Sequence, residues 1–376
     1  MTMKKIMQVL PSLEQGGVEV GTLEIARALQ DAKIPNIVVS NGGSMVAQLN
    51  KLGVPHIALP VHTKNPFKIW INAYRLIKVI KKENVGLVHV RSRAPAWSVW
   101  WACRKAKVPF ISTYHGLYGI KPAIKKWYNS AMLKGRLVIA GSEYVKKHLM
   151  DVYHVPEEKI PLIYRGADLT RFDPDRFNAE DVIRFAEQYQ ISMDKPIITL
   201  VGRLSPMKGQ VLLLQALAKM QHKDVTCLLV GGKATPAYER VLRKTMETLP
   251  KGITVKTISV PNSDMPLVYA VTDFVVSASL IPETFGRSVA EANAMKRMVI
   301  AFDHGGPSEI ILDGKTGFLI PVGSVKMLAK TLDNVLDMPK TERDTIQKMA
   351  RKRVVENFSV EKMCKKTLNI YEEILG

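Results

Sequence analysis

The sequence is poor in cysteine. Its 376 residues include only Cys103, Cys227 and Cys364, which lie far apart and form no C-x-x-C pair. This excludes a disulfide framework and a zinc site built on paired cysteines, and it fits a protein of the reducing cytoplasm.

The sequence also lacks long hydrophobic runs. No window approaches the ~18 uncharged apolar residues that predict a transmembrane helix. The apolar run after Lys4 and Lys5 breaks at Pro11 and at Gly16-Gly17, which is not typical of a signal peptide. We therefore expect a protein that, if it meets a membrane, lies on its surface.

Two nucleotide-binding motifs are absent as well. Neither the G-x-G-x-x-G fingerprint nor a P-loop occurs anywhere in the chain. Their absence weighs against dinucleotide binding and against a Walker-type nucleotide site.

Acidic residues are scarce in one segment. The formal net charge is +20, from 54 Lys and Arg against 34 Asp and Glu. Residues 1–170 contribute +15 and residues 171–376 only +5, and residues 64–136 hold 16 basic residues against the single acid Glu83. All five tryptophans lie in this basic window, 64–136. Such an imbalance raises nucleic acid, anionic membranes and phosphorylated substrates as partners.

Short apolar segments alternate with helix-period segments along both halves. This alternation predicts an α/β protein with parallel sheets covered by helices. It restarts near Pro196 after a polar stretch, so we expect two doubly wound, Rossmann-like domains, at 1–170 and 171–356, with a C-terminal helix at 357–376 that packs back on the first. The predicted strands are 6–10, 36–40, 56–59, 86–90, 110–114, 137–140, 161–164, 197–202, 226–231, 254–259, 274–278, 299–302 and 317–320.

Ligands of doubly wound sheets bind at the carboxyl ends of the strands, so the residues that follow strands are informative. Gly16-Gly17 follows the first strand and precedes a helix, where paired glycines let the backbone approach an anion. An ordinary strand-to-helix turn explains these glycines equally well.

The first strand of the second half is followed by Gly202-Arg203-Leu204-Ser205-Pro206-Met207-Lys208-Gly209. An Arg and a Lys on a glycine-bounded turn can contact a diphosphate from two sides, Arg through a fork and Lys as a point charge. We therefore predict phosphate binding here, although basic loops are common on so basic a protein.

Pro282–Glu291 carries the strongest pattern. Glu283 stands in a loop and Glu291 one turn into a helix, and Gly286-Arg287-Ser288 between them would present N–H groups at the helix N-terminus, which suits phosphate. Flanking carboxylates can accept hydrogen bonds from sugar hydroxyls. Taken alone, the two glutamates would be interpreted as a helix cap and a solvated side chain.

Together these segments resemble glycosyltransferase family 4, the retaining GT-B enzymes, over nearly the whole chain. The matching segments are Gly16-Gly17, His115-Gly116, Gly202-Arg203-Leu204 with Lys208-Gly209, Glu283–Glu291, Gly305–Glu309 and Asp313–Phe318. The resemblance implies two Rossmann-like domains facing across a cleft. It also implies an enzyme that moves a sugar from a nucleotide diphosphate sugar with retention at the anomeric carbon, without a metal or a further cofactor.

The resemblance also implies roles for single residues. Arg203 and Lys208, after Gly202, match the diphosphate binders of the family. Glu291 matches the carboxylate on the nucleotide ribose, and Glu283 matches the one that faces the hydroxyls of the donor sugar.

Three further residues lie where the family binds phosphate and sugar through the backbone: Phe285, Gly286 and Ser288. His115 ends a strand before Gly116 and matches the histidine that faces the donor sugar, although a lone histidine is more often structural. We therefore expect His115, Glu283, Arg203 and Lys208 to carry the catalysis.

Some residues depart from the family pattern or imitate another. Arg165 stands where the family usually has Asn, and Asp303-His304 where many members have small or hydroxyl residues; His304 would either contact a substrate or cap a loop. Asp173-Pro174-Asp175 spells the D-x-D metal signature of a different glycosyltransferase fold. It lies in the interdomain stretch, where Pro and Asp are ordinary turn residues, so we predict a structural role and no metal.

The basic window allows two interpretations. In the predicted helix Pro66–Lys82, Trp70, Ala73, Tyr74, Ile77 and Ile80 share one side, which would pack on the sheet while the lysines face water. Alternatively, the basic and aromatic residues of 64–136 bind an anionic membrane surface. Because the family's N-terminal domain holds the acceptor, a lipid-linked or glycan acceptor of the lipopolysaccharide or cell-envelope type follows as a hypothesis, with a peripheral location on the inner face of the cytoplasmic membrane.

Two other functions stay open. A nucleotide-sugar epimerase of related fold would use the same diphosphate contacts. A nucleic-acid-binding protein would use the basic and aromatic residues to stack bases, but no nucleic-acid motif occurs and the motifs of the second half would be unexplained.

Overall fold

The computed structural model describes residues 4–14 and 16–376, so Gln15 of the predicted glycine loop lies outside the described residues. The chain divides into two compact units. Unit 1 comprises Met1–Tyr164 with Glu361–Gly376, and unit 2 comprises Arg165–Val360. The sequence placed the divisions a few residues away, at 170 and 356.

Unit 1 contains a six-stranded parallel sheet in the order β3-β2-β1-β4-β5-β6. Its strands are β1 Lys5–Val9, β2 Asn36–Ser40, β3 His56–Ala58, β4 Val85–Val90, β5 Phe110–Tyr114 and β6 Val138–Ala140. Its helices are α1 Gly17–Asp31, α2 Val46–Lys51, α3 Pro66–Lys82, α4 Arg93–Ala106, α5 Ala123–Asn129 and α6 Glu143–Tyr153.

Unit 2 repeats the arrangement in the order β12-β11-β10-β7-β8-β9. Its strands are β7 Ile197–Val201, β8 Val225–Val230, β9 Ile253–Ile258, β10 Phe274–Ser277, β11 Met298–Phe302 and β12 Phe318–Ile320. Its helices are α7 Ala179–Gln188, α8 Gln210–Lys219, α9 Pro236–Glu247, α10 Met265–Val271, α11 Arg287–Ala294, α12 Pro307–Ile310, α13 Val325–Asp337 and α14 Lys340–Asn357, and the last helix of the chain is α15 Val360–Leu375.

Both sheets have the doubly wound order predicted from the sequence. Strands β4 and β8 are buried along their whole length, because helices cover both faces of a parallel sheet. In each sheet the strand order reverses at one place, between β1 and β4 in unit 1 and between β7 and β10 in unit 2. Ligands of such sheets bind outside the carboxyl ends of the strands at this reversal.

The strand predicted at 161–164 is wrong. Only Leu162 bridges β6, with Ala140 N donating to Pro161 O and Ile163 N to Ala140 O. The ladder stops there because β6 itself ends at Ala140, after which Ser142 caps α6 and the chain leaves the sheet.

The helix predicted over the last residues begins later than expected. α14 ends at Asn357 and α15 begins at Val360, because Phe358 O and Val360 N pair with the backbone of Ala167. From α15, Tyr371 is buried in unit 1, where its hydroxyl lies 2.6 Å from Nδ1 of His89 on β4.

The packed face of α3 differs from the predicted one. Its buried residues are Ile69, Asn72, Ala73, Leu76 and Ile80. Trp70 and Tyr74 point away from the sheet and are 62% and 60% exposed. The face is rotated because Asn72, which the pattern counts as polar, is buried with its amide donating to Pro60 O at 2.8 Å.

Among the described residues, none of the helices is both long enough and apolar enough to span a bilayer.

Candidate active site

The site in unit 2 is formed by three loops at the carboxyl edge of its sheet. They follow β7, β10 and β11, which are neighbours, with the reversal of strand order between β7 and β10. The loops span 202–209, 278–286 and 303–306 and carry most of the residues that the sequence nominated.

The loop after β7 turns sharply so that α8 can begin at Gln210. Pro206–Lys208 form one turn of 3-10 helix, and Gly209 then takes a left-handed conformation with φ of 75°. A Cβ on Gly209 would lie 2.0 Å from Ala278 O, so only glycine fits. Leu280 N donates to Met207 O at 2.8 Å, which holds this loop against the one after β10.

Lys208 and Glu283 meet where these two loops touch. Lys208 Nζ lies 2.7 Å from Glu283 Oε1, and the Ser279 hydroxyl donates to the same oxygen. The main-chain carbonyl of Glu283 accepts from Gly306 N at 2.8 Å. Both the side chain and the backbone of Glu283 are therefore held in place.

Arg203 stands on the loop after β7, as Lys208 does, and its side chain is exposed. Its carbonyl accepts from Gln210 Nε2 at 3.1 Å, which anchors the backbone to the start of α8. Gly202 precedes it directly after β7. The anchored backbone and the exposed guanidinium leave this cation available to an anionic ligand.

α11 begins beside the ion pair between Lys208 and Glu283. Gly286 is its N-cap with φ of 90°, and in the part of the chain that the structure describes no side chain caps it. The amides of its first turn, which includes Ser288, therefore form the positive end of the helix dipole. Phe285 is buried, with its ring 6.0 Å from that of Phe358, so it is the backbone of this residue that faces the loops.

Glu291 lies farther along α11 in a polar cluster. The Tyr269 hydroxyl donates to Oε2 at 3.1 Å, and Arg287 Nε lies 3.5 Å from Oε1. Burial and the charge of Glu291 raise the pKa of Tyr269, which keeps its hydroxyl protonated as a donor. Burial also lowers the pKa of the nearby Arg171, an effect that the charge of Glu291 opposes. Sequence reasoning missed Tyr269, because its buried helix gave no polar signal.

His304 has a structural contact that the sequence left undecided. Its Nε2 lies 2.7 Å from Ser279 O, and because a carbonyl only accepts, this nitrogen carries a proton. The imidazole thereby joins the loop after β11 to the loop that holds Glu283.

The remaining nominated residues belong to unit 1. Gly16 and Gly17 stand between β1 and α1, with Gly16 as the N-cap. His115 directly follows β5 and is half-buried.

Sequence reasoning missed Arg91, which directly follows β4 beside the reversal of strand order in unit 1. Arg91 is only 3% exposed, and its Nε has no hydrogen-bond partner among the described residues. Burial lowers its pKa, while Tyr371 and Glu24 act in the opposite direction. Its position after a strand was a usable signal, but the surrounding basic window concealed it.

The aspartates of the D-x-D sequence take part in ion pairs within the fold. Asp173 Oδ1 lies 2.9 Å from Arg351 Nη2, and Asp175 Oδ1 lies 3.5 Å from Lys296 Nζ. Asp173 also caps the 3-10 turn Pro174–Arg176. These contacts fit the structural role predicted for the segment.

Two family models match the chain along most of its length. One is described as glycosyltransferase family 4 and matches residues 15–171, and the other, glycosyl transferases group 1, matches residues 181–353. The crystal structure of a glycosyltransferase from Rickettsia africae ESF-5 is 38% identical in sequence, covers 100% of this chain and 99% of that one, and superposes with a TM-score of 0.92. The chain belongs to glycosyltransferase family 4.

Two more distant relatives also match this glycosyltransferase along most of its length. The structure of Anabaena Alr3699/HepE in complex with UDP and glucose is 23% identical, with a TM-score of 0.84 and coverage of 98% and 100% of the two chains, a likeness that shows the fold. A D-inositol 3-phosphate glycosyltransferase of Salinispora tropica is 24% identical over 96% of this chain and 82% of its own. The predicted α/β fold class, with two doubly wound units of the GT-B type, is confirmed.

Proposed function

We propose that this glycosyltransferase transfers a sugar from a nucleotide diphosphate sugar, with retention at the anomeric carbon, to an acceptor at a membrane surface. The observation that carries the donor assignment is the Lys208–Glu283 pair, which sets a cation and a carboxylate side by side at the carboxyl edge of unit 2. The named ligands of the Anabaena relative, UDP and glucose, support a donor of this class.

The leaving diphosphate is the group that most needs stabilisation in the transition state. Arg203, Lys208 and the first-turn amides of α11 supply positive charge before the reaction begins, so little reorganisation is needed when negative charge develops. We propose that this charge replaces a metal ion, so that transfer persists in a chelator.

The carboxylates would recognise the neutral parts of the donor. Glu291, oriented by Tyr269, accepts hydrogen bonds from the ribose, and Glu283 accepts them from the donor sugar. We assign a donor-sugar contact to His115 as well. No side chain is assigned as nucleophile or base, because the departing phosphate oxygen takes the proton of the attacking acceptor hydroxyl.

Ligand binding tests the donor assignment. UDP, GDP and ADP, each with and without its sugar, are added in a thermal-shift series, because a ligand that binds only the folded protein raises its stability. One of the three nucleotides, with or without its sugar, should raise the melting temperature of the protein. NMR of the transfer product should show the anomeric configuration of the donor. An inverted product would refute retention, and the absence of any shift would refute the donor assignment.

The membrane assignment rests on α3. Phe67, Trp70 and Tyr74 lie on its outer side, with the Phe67 and Trp70 rings 6.5 Å apart, and lysines such as Lys68 and Lys78 stand beside them. Amphipathic aromatic rings beside cations suit the interface of an anionic bilayer. We therefore propose a cytoplasmic enzyme, peripheral on the inner membrane face, that acts on a lipid-linked or glycan acceptor in cell-envelope polysaccharide or lipopolysaccharide synthesis.

Vesicle co-sedimentation at low salt tests this location. The enzyme should sediment with vesicles that contain phosphatidylglycerol and remain in solution with phosphatidylcholine alone. A salt-dependent gel shift with RNA, without sugar transfer, would instead favour a nucleic-acid-binding function. Interconversion of a nucleotide sugar without any acceptor would favour an epimerase.

A further inference from the structure

A cationic groove lies in unit 1 on a surface that the donor chemistry does not use. It has a volume of about 560 Å³ and runs between α5 with the following 3-10 turn, Ser130–Lys134, and the segment 153–159 at the end of α6. The residues that give it its character are Lys126, Trp127, Lys134, Tyr153, His154 and Lys159.

Among the described residues that line this groove, none carries a negative charge. Lys126 Nζ lies 5.8 Å from the centre of the Tyr153 ring, and Lys134 Nζ lies 4.9 Å from that of Trp100, so both ammonium groups are positioned over aromatic faces. Lys159 is exposed. Of the two glutamates on the adjoining turn, Glu157 pairs with Lys146 at 2.7 Å and Glu158 points to solvent, so the groove stays positive.

The rim of the groove is apolar. The indole of Trp127 is 59% exposed and stacks on Trp97, with ring centres 4.5 Å apart. Ile124, one turn earlier on α5, is 68% exposed. A site for a soluble anion would not need large apolar side chains in water beside its cations, whereas a site for an amphiphile would.

We propose that this groove binds the headgroup of an anionic phospholipid, with its phosphate among Lys126, Lys134 and Lys159 and its glycerol and upper acyl carbons against Trp127 and Ile124. The assignment rests on the membrane location proposed above but adds a stoichiometric lipid site separate from the aromatic face of α3. It would hold unit 1 to the bilayer through a single lipid as well as through general attraction.

The test uses the full-length protein and short-chain lipids below their micelle concentration, in isothermal titration calorimetry. Dihexanoylphosphatidylglycerol should bind saturably at one site, and dihexanoylphosphatidylcholine and glycerol phosphate should not. Because each cation near an anionic lipid contributes about 1 kcal/mol, the triple variant Lys126→Gln/Lys134→Gln/Lys159→Gln should bind about a hundredfold more weakly. The matched control, Lys326→Gln/Lys330→Gln/Lys348→Gln on α13 and α14, removes the same charge from exposed positions of unit 2 and should bind as the wild type does.

Several results would overturn the assignment. Equal binding of phosphatidylcholine would show that the site does not require a net negative charge on the lipid. Equal binding of glycerol phosphate would indicate a site for a soluble phosphate. Equal weakening in the unit 2 control would indicate general electrostatic attraction without a specific site. If the triple variant does not fold, as judged by near-ultraviolet circular dichroism, the single exposed change Lys159→Gln should still weaken binding, and unchanged affinity would count against the groove.

The outcome is separable from that of the proposed function. Loss of lipid binding with an unchanged thermal shift by the nucleotide leaves the donor assignment intact. Vesicle binding that needs Trp70 but none of the groove lysines would refute the groove and retain the membrane location.

Discussion

The ammonium nitrogen of Lys208 lies 2.7 Å from a carboxylate oxygen of Glu283, so one ion pair joins the loops after two neighbouring strands. The two side chains are assigned to different parts of the donor, the diphosphate and the sugar. Under the proposed function, donor binding would place the diphosphate beside Lys208 and the sugar beside Glu283, so the ion pair would be separated when the donor binds.

Removal of Lys208 or Glu283 should lower the rate of sugar transfer strongly and the free energy of unfolding only slightly. We expect Lys208→Ala and Glu283→Ala to reduce kcat about 100- to 1000-fold, the usual cost of losing a preorganised electrostatic contact. The pair is partly exposed, so its loss should change unfolding free energy by less than about 1 kcal/mol. The control is Lys195→Ala. Lys195 lies just before β7, and its replacement breaks the 2.6 Å ion pair with Asp224, so kcat should stay unchanged. Retained kcat in both site variants would contradict the assignment.

Glu291 should act on donor affinity. We expect Glu291→Ala to raise the donor KM about tenfold, which corresponds to the loss of one hydrogen bond to a charged group. Tyr269→Phe removes only the 3.1 Å hydrogen bond to the carboxylate and should have a smaller effect. Steady-state kinetics with varied donor measure both. A fall in kcat with unchanged KM would place Glu291 at the chemical step instead.

Gly209 should be intolerant of a side chain. Gly209→Ala would bring a Cβ within 2.0 Å of Ala278 O at a left-handed backbone position, and we expect a loss of more than about 2 kcal/mol of stability. Gly232→Ala is the control, because nothing lies within 4 Å of the added Cβ, and a change within about 0.5 kcal/mol is expected. Chemical denaturation measures both. Equal stability of the two variants would show that the loop after β7 adapts.

The exposed aromatic residues of α3 should matter for vesicles and not for folding. Phe67→Ser/Trp70→Ser removes side chains that are 69% and 62% exposed, so the melting temperature should stay constant while binding to phosphatidylglycerol vesicles falls. Ile183→Ser/Val241→Ser changes two exposed apolar residues of unit 2 and should leave vesicle binding unaltered. Undiminished sedimentation of the α3 variant would refute the role of this helix.

His89 should make stability sensitive to acid. It is fully buried between the hydroxyls of Tyr371 and Thr113, and burial, with the charge of Arg91, holds its pKa well below the ordinary value. The unfolded chain therefore binds the proton more readily, so this contribution is present above pH ~6.5 and is lost as the pH falls toward the folded pKa.

The measurement is the melting temperature of wild type and His89→Gln between pH 7.5 and 5. The wild type should lose more degrees than the variant over this interval, because titration of the other groups is common to both proteins. Parallel curves would show that His89 does not titrate in this range.

The sequence predicted the sheets better than it predicted which side chains pack. Buried parallel strands are continuous apolar runs bounded by turns, so twelve of the thirteen predicted strands are found, with ends within about two residues. The face of α3 was misassigned because periodicity counts Asn72 as polar, whereas its hydrogen bonds to Pro60 and from Arg75 permit its burial. A related reason explains why the sequence did not indicate Tyr269, Ser279 and Arg91. Tyr269 and Ser279 become informative only through their hydrogen-bond partners in the folded chain, and Arg91 only through its burial.

The chain passes from unit 1 to unit 2 and returns, and this order has a consequence for synthesis. Residues 165–360 form a contiguous unit that can fold once it leaves the ribosome, whereas the core around His89 stays open until Tyr371 has been translated. Unit 1 is thus the first to be made and the last to be completed. A premature stop after residue 360 and before Tyr371 would spare unit 2 and leave a buried histidine of unit 1 without its partner.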